Sequence, residues 1–562
     1  MLFIVVKWKE RIAHADACAH AQEALRMDAM TVFTLLGGLG LFLFGIRAMG
    51  EGLEQAAGNR MKRLLEALTK NKALAVLVGA LVTGVIQSSS ATTVMVVGFV
   101  NAGLLSLSKA VGVIMGANIG TTVTSLMLSI KINFGMLFAA VGAICQLAGS
   151  RSSFKLFGQI AMGLGLLFLG MDTMSAAMEP LHTWQGFRDA MALARNPLVG
   201  VLAGAVITAL LQSSSASVGI LQALAGTGAI SLQASLFILF GQNIGTCVTA
   251  LLASVGANRT ARRAAVVHLL FNVIGAALFV ALALLVPLDR WIATLAGENL
   301  RLQIAVAHIL FNVTTTLALL PVSGLLERLA CLVVPGEDKP LEPLRLKYFD
   351  ERLLSTPPVA VEQLFCEVRR MAEIVMANYR FAMQYYFAPK ALSLDEFENR
   401  EEALDYLNAE ITRELIEVRG LGLSQRDVHL TGSLFHVVND LERIGDHSMN
   451  IVEIGTARKR EKIRFSHKAE HEIEELSAIV TSMLEKSLHI VDKQVPDVEI
   501  TGEVFALESR VDDMSKDLAD RHVERVKAKK CTPKNGMLYL DMLNNLERIA
   551  DHANNLAASV EG

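Results

Sequence analysis

The sequence lacks the features that would mark it as a nucleic-acid binder, a disulfide-stapled domain or an enzyme. Its 562 residues carry a net charge of only −3, leaving no basic excess to attract a nucleic acid. The six cysteines (Cys18, Cys145, Cys247, Cys331, Cys366 and Cys531) form no Cys-x-x-Cys pair, and two of them lie in apolar runs. Neither a disulfide framework nor a zinc site is indicated. No serine sits in a Gly-x-Ser-x-Gly elbow, and Asp446-His447 reverses the order expected of a metal phosphohydrolase, so catalysis is not expected. The first residues read in the reverse of a signal peptide's order: MLFIVV is too short to span, and the basic KWKER follows it instead of preceding it. Residues 1–30 therefore read as an N-terminal extension of no assigned function, with Met27 and Met30 as alternative starts.

Charge is scarce up to about Pro335 and dense beyond it, within a chain that is 52% hydrophobic with mean hydropathy +0.43. The apolar part contains a duplication. Gln87-Ser88-Ser89-Ser90-Ala91 returns as Gln212-Ser213-Ser214-Ser215-Ala216, and Gly116-Ala117-Asn118-Ile119-Gly120-Thr121 returns as Gly241-Gln242-Asn243-Ile244-Gly245-Thr246. Both are offset by 125 residues, and Gly40, Gly45 and Met49 recur at the same offset as Gly165, Gly170 and Met174. One register held through two motifs and a helix is an internal repeat. The repeats cover about 35–150 and 160–287 of a transmembrane domain spanning 31–335.

Each Gln-Ser-Ser-Ser cluster lies inside a long apolar run. A bilayer core offers no water, so such a cluster belongs against protein or a hydrated cavity. Four consecutive polar side chains cannot share one helix face, because same-face neighbours are three or four residues apart. The economical solution interrupts the helix there, leaving free backbone N–H groups and a positive half-helix end beside several hydroxyls. Two breaks of this kind meeting near mid-bilayer would form a transporter site. The alternative is a continuous helix whose serines bond back to its own carbonyls.

A crossing needs ~20 apolar residues. Such runs fall near 31–49, 108–130, 132–150, 156–177, 230–255, 264–287 and 302–325, while 73–105 and 198–228 read as hairpins that enter and leave on one side. Three crossings then separate equivalent repeat positions, and an odd number inverts the second copy. Arg60, Lys62, Arg63, Lys70 and Lys72, then Arg151 and Lys155, then Arg259, Arg262 and Arg263 occupy alternate loops. The intervening loops are poorer in basic residues or mixed, from Lys131 alone to Asp289, Arg290, Glu298 and Arg301. Basic loops in the cytoplasm orient every segment consistently. Arg47 and Asp172 then fall at opposite faces as end-of-helix residues.

No Lys or Arg sits deep in the duplicated runs. An anion there would be held by hydroxyls, amides, backbone N–H groups and helix ends, and the same groups with freed carbonyls suit a hard monovalent cation. The candidate residues are Gln87, Ser88, Ser89, Ser90, Asn118, Thr121, Thr122, Gln212, Ser213, Ser214, Ser215, Asn243 and Thr246. His268 and His308 share the contexts His-Leu-Leu-Phe-Asn and His-Ile-Leu-Phe-Asn, which leaves open both helix packing and a place near the pathway.

Paired Gln-Ser-Ser-Ser motifs, each followed by Gly-x-Asn-Ile-Gly-Thr, resemble the sodium/phosphate cotransporter type II family over about residues 31–330. The resemblance implies inorganic phosphate and co-transported sodium as substrates, held by the two serine loops. Cys247 stands where repeat one has Thr122, so one hydroxyl ligand is missing from the pattern.

Prolines 335, 340, 343, 357 and 358 punctuate a linker over 336–357. Beyond it, charged residues separate apolar ones at helical spacing, predicting helices near 361–388, 394–419, 427–457, 466–495, 501–529 and 533–560. NDLERIGDHSMN (439–450) matches NNLERIADHANN (544–555) at an offset of 105, giving two three-helix units. Glu442 and Asp446, and likewise Glu547 and Asp551, share helix faces. They suit either cation binding through oxygen or a solvated face of local ion pairs. This half, 358–562, resembles the PhoU-like domain, which implies a cytoplasmic regulator of phosphate transport with a divalent or trivalent metal at those acids.

The expected fold is all-α: a polytopic membrane protein with inverted repeats and re-entrant helical hairpins, followed by a cytoplasmic PhoU-like pair of three-helix bundles. The expected function is sodium-coupled phosphate transport across the plasma (inner) membrane, with self-association left open. The competing readings are a phosphate exporter of the same fold and a membrane-anchored phosphate-signalling protein without transport.

Overall fold

The computed structural model describes residues 29–67, 71–130, 134–149, 151–180, 185–338, 344–388, 392–423, 425–493 and 497–559. Expectations for residues 1–28, Lys70, Lys131 and linker residues 339–343 fall outside these. Among the described residues the structure is helical, with short 3-10 turns and no strand. It divides at Lys339/Pro340 into two compact units.

The first unit begins with α1 (Ala29–Ala67), α2 (Lys72–Ile86), α3 (Ser89–Asn101), α4 (Leu107–Ser129) and α5 (Gly135–Ala148). The second copy follows as α6 (Ser152–Met178), α7 (Gln185–Leu193), α8 (Pro197–Leu211), α9 (Ser214–Gly226), α10 (Leu232–Gly245), α11 (Cys247–Ala253) and α12 (Arg259–Leu285). Three helices close the unit: α13 (Leu288–Ala296), α14 (Leu300–Leu319) and α15 (Ser323–Val333). Six helical stretches among the described residues are long and apolar enough to cross a membrane. Large apolar side chains such as Leu77, Leu202, Val206 and Leu210 are exposed, as a lipid-facing surface requires.

The repeat mates α1 and α6 pack directly on each other, and their contacts fix their direction. Gly38 faces Met174, Gly45 faces Leu167, Gly170 faces Phe42, Gly163 faces Met49 and Gly52 faces Ile160. Numbers rise along one helix as they fall along the other, so the mates are antiparallel. The Gly45–Leu167 and Gly170–Phe42 contacts exchange under the 125-residue offset, as a two-fold axis demands. The repeats are inverted. Close approach depends on glycine, since a Cβ at Gly45 would lie 2.3 Å from the Leu167 nitrogen. The same device joins α2 to α4 and α8 to α10: a Cβ at Gly116 would lie 2.0 Å from the Val76 carbonyl, and one at Gly241 1.9 Å from that of Val201.

Polar contacts gather at opposite ends of this bundle. At one end, Lys72 Nζ donates to Ser323 Oγ (3.0 Å) and Glu327 Oε1 (2.9 Å), the Asn258 N–H donates to Asn101 Oδ1 (2.8 Å), and Asp338 receives the Arg259 N–H and the Thr260 hydroxyl. At the other, Arg301 reaches Ser175 Oγ (2.9 Å), and Gln222 Nε2 donates to the Ser125 and Arg301 carbonyls (both 3.0 Å). Ends that the loop charges assign to one side of a membrane therefore touch one another. Arg47 pairs with Glu51 at 2.8 Å, one turn along its own helix.

Two features depart from the sequence reading. The run at 132–150 gives a described helix of 14 residues, ~21 Å at 1.5 Å per residue, short of the ~30 Å hydrocarbon core. The 230–255 run, by contrast, forms the stretch Leu232–Ala253, long and apolar enough to cross, and Thr246 within it keeps a helical backbone with φ of −60° and ψ of −26°. The run at 302–325 ends at Leu319, and the short helices α7, α13 and α15 were not foreseen. At 9, 9 and 11 residues, about two and a half to three amphipathic turns, they are too short for a spanning signal.

The second unit comprises α16 (Pro357–Phe387), α17 (Asp395–Arg419), α18 (Gln425–Glu461), α19 (His467–Lys493), α20 (Val498–Lys527) and α21 (Pro533–Ala558). Tyr379, Phe397, Leu407 and Ile444 are buried in the first three helices, and Val480, Tyr539 and Ile549 in the last three. Buried Glu367 accepts the Tyr348 and Phe349 N–H groups, pinning the end of the linker to α16.

Candidate substrate and ion site

Both serine clusters interrupt their helices. α2 ends at Gln87 and α8 at Gln212, each in the left-handed region with φ of 59° and 54°. A non-glycine residue there costs ~1–2 kcal/mol, and the same strain at matched repeat positions marks a built feature. Ser88 then caps α3, its Oγ accepting the Ala91 N–H at 3.2 Å, and Ser213 caps α9 by accepting that of Ala216 at 3.2 Å. The chain reverses at each break: Thr83 Oγ1 donates to Thr92 Oγ1 (2.9 Å), and Thr208 Oγ1 to Ser217 Oγ (2.7 Å). Nine residues of continuous helix would separate such pairs by ~13 Å.

The two breaks meet. Ser89 Oγ lies 3.4 Å from Ser214 Oγ, joining repeat mates across the pseudo-two-fold axis, and Ser90 Oγ donates to the Gln212 carbonyl at 3.4 Å. Ser89, Ser214 and Ser215 are buried. The N-termini of α3 and α9 thus converge with their first N–H groups lacking an acceptor one turn back. Two positive helix ends and several hydroxyls face one point, an arrangement that favours an anion.

The other predicted residues divide by role. Gln87 is buried and its Oε1 accepts from Thr124 Oγ1 at 2.8 Å, whereas Gln212 is exposed. Asn118, Thr121, Thr122, Asn243 and Thr246 are buried, but each side chain donates to a carbonyl of its own helix: Ile114, Ala117, Ile119, Leu239 and Gln242. They line the helices behind the breaks, and no hydrogen bond among the described residues ties them to the serines. Cys247 is buried with Sγ 3.7 Å from the Asn243 carbonyl and 3.4 Å from that of His268, and it accepts from Asn272 at 3.2 Å. His308 Nε2 contacts Asn243 Oδ1 at 3.3 Å, placing one of the paired histidines against the Asn-Ile-Gly-Thr motif.

In the second unit, the acids at Glu442/Asp446 and Glu547/Asp551 each gain a second pair on a neighbouring helix. Burial, then Asp405, Asp446 and Glu442, push the Glu401 carboxyl up to about 7 against a lowering bond from Asn378. Glu508, Asp512 and Asp551 bring one oxygen each within 4.8 Å of one another. Burial followed by neighbouring carboxylates raises Glu508, Asp512 and Glu547. Local ion pairs exist as well, Arg443 with Asp446 and Arg548 with Asp551 at 3.4 Å. Two acid quartets, 401/405/442/446 and 508/512/547/551, lie at matching places in the two bundles. The Glu-x-x-x-Asp spacing in α17 and α20 is a sequence signal that went unread.

Inverted repeats with paired helix breaks define a membrane transporter of the broken-helix class. Residues 41–176 and 184–297 match the family model described as Na+/Pi-cotransporter, and 368–455 and 473–560 match the PhoU domain. The chain belongs to the Na+/Pi-cotransporter family of phosphate transporters and carries PhoU helices after its membrane unit. It is 33% identical over 297 residues to the "Uncharacterized protein YqeW" of Bacillus subtilis, covering 53% of this chain and 96% of that protein. It is 28% identical over 346 residues to the "Putative inorganic phosphate export protein YjbB" of Escherichia coli, covering 61% of this chain and 63% of that protein. Human "Sodium-dependent phosphate transport protein 2B" is 31% identical over 122 residues, 21% of this chain and 17% of that one.

Proposed function

We propose that the protein carries inorganic phosphate across the plasma membrane together with sodium, by alternating access around the paired serine loops. The observation that carries this reading is the convergence of two helix N-termini at Ser89 and Ser214 with no cationic side chain in either cluster. Phosphate binds there through Ser88, Ser89, Ser90, Ser213, Ser214, Ser215, the Gln87 and Gln212 amides and the free N–H groups. Asn118, Thr121, Thr122, Asn243 and Thr246 supply carbonyl and hydroxyl oxygen for sodium. Moving one charge through 100 mV is worth ~2.3 kcal/mol, so a divalent anion taken up alone against an inside-negative potential costs about twice that. Sodium supplies the compensating charge.

Basic loops face the cytoplasm in this reading. The α2/α3 hairpin then opens inward, the α8/α9 hairpin outward, and the second unit lies in the cytoplasm. That unit regulates transport, and its acid quartets suit a hard divalent or trivalent cation: crowded carboxylates whose protons are held too tightly are relieved by such an ion. Glu442, Asp446, Glu547 and Asp551 would hold it with Glu401, Asp405, Glu508 and Asp512.

Export is the second reading, favoured by the similarity to YjbB over 346 residues. The test is labelled-phosphate flux in proteoliposomes, with sodium imposed on either side or omitted, for wild type, Ser89→Ala and Ser214→Ala. Uptake that follows the sodium gradient and fails in both variants is the expected result. Sodium-independent outward flux would replace it with the export reading, and no flux of either kind would contradict transport.

A further inference from the structure

We propose that Asn312 and Thr316, flanked by His308 and Thr315 on the buried face of α14, form a monovalent-cation site adjoining Asn243. This helix lies beyond the residues matched to the family model, which end at 297, and it is no part of the duplication. The inference rests on the sodium-coupled reading and adds a place for a cation outside the repeated motifs.

The four side chains recur at helical spacing along one face. All are buried, with exposures of 1% (His308), 0% (Asn312), 3% (Thr315) and 3% (Thr316). Each has a polar atom without a hydrogen-bond partner: His308 Nδ1, Asn312 Oδ1, Thr315 Oγ1 and Thr316 Oγ1. A buried unsatisfied polar atom costs ~1–3 kcal/mol, so four along one face require something to fill them. Thr315 Oγ1 lies against Gly275 of α12, where a Cβ would come within 3.0 Å of it, so this face is covered by protein rather than lipid.

Two of the unpaired atoms, His308 Nδ1 and Asn312 Oδ1, can only accept, and the two threonine hydroxyls can each turn a lone pair toward a cation. Asn312 Nδ2 donates to the His308 carbonyl at 3.0 Å, which leaves only its oxygen free. Asn243 Nδ2 is spent on the Leu239 carbonyl, so its Oδ1 must accept from His308 Nε2–H. Neutral His308 then presents a lone pair at Nδ1. Neighbouring buried amides behave alike. Asn272 and Gln242 also spend their NH2 groups on carbonyls or sulfur and leave Oδ1 and Oε1 unpaired. A surplus of acceptors calls for a cation. The absence of any carboxylate on this face points to a monovalent ion, since divalent ions draw on carboxylates.

The test uses the detergent-solubilised full chain without phosphate, titrated with sodium chloride against choline chloride at constant ionic strength, with thermal unfolding as the readout. Wild type is expected to show sodium-specific stabilisation. In Thr316→Val, which keeps the shape and removes one oxygen, the half-saturating sodium concentration should rise at least tenfold. Asn312→Leu should lose the part of the response that this site contributes, leaving only that of the repeated motifs; if that variant does not fold, Thr316→Val decides alone. A Thr316→Val titration that overlays wild type overturns the cation site, and sodium-driven phosphate flux would still leave the coupling reading standing. Wild type with neither a sodium response nor sodium-dependent flux overturns both.

Discussion

The two halves of the membrane unit hold the same motifs at one offset, yet their loops are not in the same state. In the first half Gln87 is buried, and Thr124 of the neighbouring helix holds its amide oxygen at 2.8 Å. The corresponding residue of the second half, Thr249, turns back on the Thr246 carbonyl at 2.9 Å, and Gln212 is exposed. Equal sequences in unequal states are what alternating access requires of inverted repeats, since exchanging the two conformations moves access from one face to the other. In this account the Thr124–Gln87 bond is the latch of the closed half.

The largest expected effect breaks the pair itself. Ser89→Ala and Ser214→Ala each remove a hydroxyl from a charged ligand, worth ~1.5–3 kcal/mol, so phosphate affinity should fall about tenfold to a hundredfold in either variant by equilibrium binding. A large loss in only one would mean that a single loop holds the anion. Next, Gly116→Ala and Gly241→Ala drive a methyl into the Val76 and Val201 carbonyls. Each should cost ~1–3 kcal/mol, and matched drops in thermal unfolding temperature would show that both hairpins are clamped alike.

A smaller effect separates the halves. Thr124→Val removes the latch and about 1 kcal/mol, shifting apparent phosphate affinity several-fold, while Thr249→Val should change it little. Equal responses would remove the distinction between latched and open loops. The smallest concerns the second duplication. Because the Glu401 carboxyl rises from 4.5 to about 7, the folded state binds its proton more tightly than the unfolded state does. Its contribution is therefore greatest below about pH 4.5 and is lost as pH rises through about 7. In chelator, Glu401→Gln should flatten that decline in thermal stability more than Glu508→Gln, and a bound cation should flatten it in wild type.

Much of this was legible in the sequence because polar clusters stand out in apolar runs. Gln-Ser-Ser-Ser cannot sit on one helix face, so a break was legible at each cluster, and the inversion expected of the repeats agrees with the antiparallel α1–α6 contacts. The direct Ser89–Ser214 contact could not be read, because helix packing across a two-fold axis leaves no local pattern. His308 was visible as a repeated His-x-x-x-Asn context, but its contact with Asn243 depends on how α14 crosses α10. In the second unit, Glu401 and Glu508 lie at an offset of 107 rather than 105, and that shift hid their equivalence.

A cross-link between the two loops tests most directly whether they meet around an anion. With the native cysteines replaced, Cys247 by the threonine of repeat one, the Ser89→Cys/Ser214→Cys variant should cross-link within one chain under mild oxidation. Inorganic phosphate should slow that reaction in a concentration-dependent way. Thiols that never cross-link, or that do so at a rate indifferent to phosphate, would contradict a shared anion site between the inverted halves.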